Sequence, residues 1–294
     1  MATENSRAKE RSILITGGTV IDGTGTPGVR RDVLIRGDRI EAVGENLSGD
    51  TVIDATGRVV APGFIDIHTH YDAQVFWDPA LTPSCYHGVT TVVAGNCGFS
   101  IAPTKAMDRD LIARTMEKVE DMDPATLAAG IPWEFESFPD YLRAIERRGT
   151  LLNYAAYIGH TPVRIFALGD EAVGRPATPD EIARMVDIVS EAMDAGAAGF
   201  ATSFAITHRG ADGQPIPSRW ADRAEIEALF RMGQAPTSAA KKPTAATEPA
   251  SAKRQRARAW LPSDRFGAAV QTRRRGETSA KRGMGRRDEN RSGV

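Results

Sequence analysis

The sequence has little cysteine and few aromatic residues. Only Cys85 and Cys97 occur in 294 residues, and Phe, Trp and Tyr together make up 6%. Two cysteines in a chain of this size do not build a disulfide framework and suit a reducing compartment, so the expected localisation is cytoplasmic. No run approaches the roughly 20 apolar residues that a membrane span requires, which excludes that class. Met1 to Arg11 is polar and charged without an apolar centre, so no signal peptide is expected.

With 41% hydrophobic and 26% charged residues, the chain can bury the core of one large domain or two ordinary ones. The net charge of −1 hides an asymmetry. Residues 234–294 carry 15 Lys+Arg against 5 Asp+Glu, whereas residues 1–233 carry 22 against 33. A split of this kind marks two different kinds of segment.

Four segments are expected. Residues 1–11 read as a disordered N-terminus. Residues 12–61 read as four or five short strands with tight turns, a small β-sandwich, with a hairpin at Arg36-Gly37-Asp38. Gly23-Thr24-Gly25-Thr26-Pro27-Gly28 matches G-x-G-x-x-G, but another strand rather than a helix follows it, so a glycine-rich turn suffices and no dinucleotide site is expected. From Pro62 to Gly233 the pattern alternates strand and helix, the mark of a parallel α/β sheet. Helices are expected around Asp108–Val119, at Phe138–Ile145 with Gly149 as the stop, and from the capping box Thr178-Pro179-Asp180-Glu181 to Gly196. A further helix runs from the capping pair Asp222/Glu225 to about Met232. Residues 234–294 are rich in Ala, Arg, Lys, Ser, Thr and Pro and show no periodicity, so a basic, disordered tail is expected.

The chemistry concentrates at expected strand ends. Phe64 to His70 is a short, Ile-rich run behind Ala61-Pro62-Gly63, and as a strand it would place Asp66, His68 and His70 on one face. Gly88 to Gly95 is a second apolar strand that ends at Asn96-Cys97-Gly98. If the two strands are parallel neighbours, His68, His70 and Cys97 leave the sheet at one level. Neutral imidazole and thiolate are both good zinc ligands, so a transition-metal site is expected there. The bland alternative is a small buried hydrophobe at Cys97 and an unrelated His pair. His160 and Ser203 end the third and fourth strands and are candidates for lining a substrate cavity, with a hydrogen-bonded structural role as the alternative for His160. His208 is a weaker candidate beside Ser203. His87 precedes a strand, at the end away from the chemistry.

Val60 to Asp72 resembles the first barrel strand of the amidohydrolase superfamily. Trp77-Asp78-Pro79, His87 to Val93 and Gly95-Asn96-Cys97-Gly98-Phe99-Ser100-Ile101-Ala102-Pro103 resemble its N-acyl-D-amino-acid deacylase branch, over about residues 13–233. That resemblance implies the first half of a metal-dependent (β/α)8 TIM barrel. It implies a Zn2+ cofactor, one or two ions in the family, with His68, His70 and Cys97 as ligands. It implies Asp66, and more weakly Asp72 and Asn96, as residues that orient the ligands, and a small N-acylated amino acid as the substrate.

In such an enzyme zinc lowers the pKa of a bound water to about 7 and polarises the acyl carbonyl, while a carboxylate shuttles the proton. The branch carries two further His ligands and the acid/base Asp downstream. After Gly233 the strand–helix pattern stops, and residues 234–294 contain no His, so neither the further ligands nor the catalytic acid/base is expected within this chain and a truncated or frame-shifted reading is suspected. Two alternatives stand beside this reading. One is a dihydroorotase- or hydantoinase-like cyclic amidase, which more often uses a carbamylated lysine. The other is a non-catalytic fragment with an anion-binding tail, although the tail shows no nucleic-acid-binding signature.

Overall fold

The computed structural model describes residues 11–210 and 213–233. The expected disordered N-terminus, apart from Arg11, and the expected tail at residues 234–294 lie outside the described residues. Those described form two compact units, residues 11–61 and 62–233.

The first unit is entirely β. It contains β1 (Ser12–Thr16), β2 (Thr19–Val20), β3 (Val29–Arg30), β4 (Asp32–Arg36), β5 (Arg39–Gly44), β6 (Thr51–Asp54) and β7 (Val59–Val60). These are seven strands rather than four or five, in one sheet of order β5-β4-β1-β6 and another of order β3-β2-β7. The glycine-rich segment is the loop of the antiparallel β2–β3 pair, with no helix after it. Leu14 and Leu34 face each other across β1 and β4 and are buried, while Ile40, Val43 and Val52 on the same sheet are exposed.

The second unit holds four parallel strands in chain order: β8 (Phe64–Asp66), β9 (Val89–Ala94), β10 (Asn153–Gly159) and β11 (Gly199–Ala201). With the helices between and after them they make half of an α/β barrel. The helices are α1 (Arg109–Glu120), α2 (Pro124–Gly130), α3 (Phe138–Arg148), α4 (His160–Leu168), α5 (Pro179–Asp194) and α6 (Arg223–Gly233).

Local chemistry explains most boundaries. Ser137 caps α3 by accepting the Asp140 N–H, and Gly149 ends it at φ 75°. Burial of Phe138, Tyr141 and Ile145 on one side of α3 contributes about 1.5–3 kcal/mol per large side chain. The capping box at α5 forms, with Thr178 N–H donating to Glu181 and Glu181 N–H to Thr178 Oγ1.

Two elements depart from expectation. The ladder of β8 stops at Asp66 rather than reaching His70, because the Asp66 carboxylate accepts the His68 N–H at 3.2 Å. That Asx-type turn takes the amide a longer ladder would use. Helix α4, not foreseen, starts at His160 and tolerates Pro162 because first-turn amides have no partner within the helix. At one edge of the sheet, Phe64, Ile65 and Ile67 are exposed.

Candidate metal centre

The C-terminal ends of β8 and β9 are stitched together. Thr69 donates its N–H at 3.1 Å and its hydroxyl at 2.9 Å to the Val93 carbonyl. Buried Asn96 donates its amide to the same carbonyl at 2.8 Å and to Thr69 O at 3.3 Å. Asp72, fully buried, accepts the Gly95 N–H at 3.1 Å, and Tyr141 donates its hydroxyl to the Asp72 carbonyl at 3.1 Å. Asp72 and Asn96 thus brace the backbone on both sides of the two histidines and the cysteine. Asp66 does the same by accepting the His68 N–H.

Cys97 projects from a tight turn over Asn96–Gly98. Gly95, Cys97 and Gly98 all have positive φ, at 79°, 56° and 72°. For Cys97 this conformation costs about 1–2 kcal/mol and persists where the surroundings over-determine it. They do so here. A Cβ on Gly95 would lie 2.2 Å from Tyr157 O, and one on Gly98 would lie 2.8 Å from Thr202 Cα. Two glycines are therefore required for this turn to close against the ends of β10 and β11.

The result is a cluster. The ligand-type atoms of His68, His70 and Cys97 all lie within 4.8 Å of one another, and Cys97 Sγ is 3.4 Å from His68 Nε2. Donors around a tetrahedral zinc sit about 3.3–3.8 Å apart, so a small contraction would close the three onto one ion. No carboxylate joins the group among the described residues. Burial, aided by the repulsion that a second proton would meet from the nearby His68 and His208 rings, lowers the His70 pKa to about 4. The ring is therefore neutral at pH 7, the form that ligates metal.

The other candidates are not part of the three-residue cluster. Ser203 does not stand alone in a cavity: its hydroxyl pairs with His208 Nδ1 at 2.8 Å, and the His208 ring packs edge-on against Phe99 at 5.3 Å. Burial and Arg219 lower the His208 pKa. His160 is fully buried and lines no open cavity. Its Nε2 is 2.8 Å from Glu225 and its Nδ1 2.8 Å from Thr202 Oγ1, and Arg164 also pairs with Glu225. Glu225 and Arg164 were not foreseen as a site. Glu225 read as a helix cap, and its N–H does bond Asp222, but its side chain turns inward. His87 is exposed at the opposite end of β9.

The chain belongs to the amidohydrolase family, whose model matches residues 51–241. It is similar to a D-aminoacylase of Alcaligenes xylosoxydans xylosoxydans, at 42% identity over 192 residues, 65% of this chain and 37% of that protein. An N-acyl-D-aspartate deacylase of the same organism is 37% identical over 203 residues, 68% of this chain and 38% of the relative. Among solved structures, an N-acyl-D-glutamate deacylase of Bordetella bronchiseptica, complexed with zinc and a phosphonate that mimics the tetrahedral intermediate, superposes with a TM-score of 0.63. Its identity is 34%, over 76% of this chain and 43% of that one. The chain spans about two fifths of the length of the curated relatives it matches.

Proposed function

We propose that this chain carries the first half of the active site of a zinc-dependent N-acyl-D-amino-acid deacylase, built on the first four strands of a (β/α)8 barrel behind a small β domain. The observation that carries the reading is the convergence of His68, His70 and Cys97 at the C-terminal ends of adjacent parallel strands, where such folds keep their chemistry.

In this reading His68, His70 and Cys97 hold zinc, and Asp66, Asp72 and Asn96 hold the backbone that presents them. A zinc ion bound there supplies Lewis-acid polarisation of the acyl carbonyl and an activated water. The stitched strand ends fix the backbone from which the three ligands project. His208, anchored by Ser203 and near enough to His70 to disfavour its protonation, would offer the substrate the other nitrogen of its ring. The acid/base carboxylate is assigned to the part of the relatives that this chain does not span.

The chemistry of the donors favours the deacylase over a cyclic amidase. A thiolate at Cys97 takes the place where those enzymes more often use a carbamylated lysine. The two lysines among the described residues are engaged elsewhere: Lys105 Nζ lies 5.0 Å from the Phe166 ring centre, and Lys118 lines a shallow cavity with Asp121 and Asp123. The chain has only two cysteines, Cys85 and Cys97, too few for a disulfide framework, which supports a reducing, cytoplasmic compartment. No helix among the described residues is long and apolar enough to cross a membrane.

The test is zinc content of the purified chain, wild type beside His68→Ala/His70→Ala, with hydrolysis of N-acetyl-D- and N-acetyl-L-amino acids on the same samples. Zinc retained by the wild type and lost by the variant is expected. Equal zinc in both would sink the proposed metal centre.

A further inference from the structure

The buried group Arg164, Glu225, His160 and Thr202 lies outside the proposed ligand set, yet its members join three elements. Arg164 and His160 come from α4, Glu225 from α6 and Thr202 from the residue after β11. The side chains of His160, Arg164 and Glu225 have no exposed surface. Arg164 also donates from Nε to Ala172 O at 2.8 Å and from a terminal nitrogen to Arg175 O at 2.6 Å. Its guanidinium is therefore fixed and keeps Glu225 ionised. An ionised carboxylate only accepts, so His160 Nε2 carries the hydrogen toward Glu225. Nδ1 then accepts from the Thr202 hydroxyl. One tautomer and one orientation follow.

The far end of this chain of bonds reaches the turn that presents Cys97. Residues 201–203 press on Gly98, where a Cβ would lie 2.8 Å from Thr202 Cα and 3.1 Å from Ala201 O. Gly159, directly before His160, presses on the same residue from β10: a Cβ there would lie 2.7 Å from Gly98 O. Gly159 also donates its N–H to Ser100 Oγ at 3.3 Å. The His160–Thr202 bond thus spans the two strand ends that grip Gly98, one position after the strained Cys97.

We infer that His160, oriented by Glu225 and Arg164, is a positioning residue that locks Thr202 and, through Gly98, holds the Cys97 thiol in its place beside His68 and His70. For metal binding this rests on the zinc-centre reading above; for the placement of Cys97 it does not. An internal brace of helix packing alone would leave Cys97 indifferent to the Thr202 hydroxyl.

The experiment uses the full chain with Thr202→Val, Thr202→Ser and His160→Gln. In the metal-free protein, the alkylation rate of Cys97 by iodoacetamide is compared with that of Cys85 as internal reference. Zinc affinity is then measured against a competing chelator. Thr202→Val is expected to change the Cys97 rate at least several-fold, to leave the Cys85 rate alone and to weaken zinc binding about 10- to 100-fold. Thr202→Ser, which keeps the hydroxyl, restores both values. If Thr202→Val and any folded His160→Gln lower the melting temperature but leave Cys97 reactivity as in wild type, the inference is overturned. A changed Cys97 rate in a chain whose wild type holds no zinc supports the positioning role and overturns the zinc reading instead.

Discussion

Cys97 Sγ lies 3.4 Å from His68 Nε2 although 29 positions separate the two residues. The pairing of β8 with β9 closes the distance, and the positive φ of Cys97 aims the sulfur across it. The same strained residue therefore carries both a local cost and the proposed ligand.

That coupling makes Cys97→Gly informative. Glycine removes the penalty of the left-handed conformation but also the thiol. The metal-free chain is expected to gain up to about 1 kcal/mol, less the larger unfolded-state entropy of glycine, while zinc binding falls by at least tenfold. Urea denaturation and chelator competition on one sample measure both. A glycine variant less stable than wild type by more than about 1 kcal/mol, the entropic cost of glycine, would mean that Cys97 is not strained in solution.

Gly95→Ala and Gly98→Ala test the closeness of the turn to its neighbours. Both combine positive φ with a Cβ that would meet backbone, so each is expected to destabilise by about 1–3 kcal/mol or more. The opening glycine has the worse contact, 2.2 Å from Tyr157 O, and should be the more damaging of the two. Thermal unfolding of the pair gives the order.

Removing one partner of the buried ion pair should be costlier than replacing both. Arg164→Ala leaves Glu225 buried without its guanidinium, and a loss of about 3–5 kcal/mol is expected. Arg164→Met combined with Glu225→Leu restores apolar volume and should recover part of that loss. Chemical denaturation of the three chains checks it; a double variant worse than Arg164→Ala would refute it.

Acid should weaken the fold in two stages. Burial holds the His160 imidazole below its ordinary value of 6.5. The unfolded chain therefore binds a proton first, and stability declines as pH falls below about 6.5. His70, lowered to about 4, acts in the same direction between 6.5 and 4. Although burial opposes it, hydrogen bonds from His160 and Arg164 hold Glu225 below its ordinary 4.5, so a further loss begins under that pH. Melting temperatures from pH 8 to 4 follow the course. A melting temperature that rises on acidification from pH 7 to 5 would contradict it.

Much of the fold was legible in local pattern. The alternation of apolar strands and capped helices after Pro62 announced parallel α/β structure, and Thr178/Glu181 and Gly149 mark real helix ends. The residue types of the cluster and their place near strand ends could also be read. Boundaries were harder. Asp66 ends β8 with its own side chain, and α4 hides behind a proline that periodicity counts as a breaker.

The sequence by itself determined which chemistry was present and roughly where each strand and helix would form, because periodicity, caps and turn residues act over a few positions. Only the tertiary structure decided which of those residues meet. Register between β8 and β9 brought Cys97 to the histidines. Packing of α6 against the strand ends took Glu225 from a cap to a buried partner of Arg164 and His160, 61 and 65 positions away. Contacts across such separations depend on how whole elements pack, and no local window of sequence encodes that.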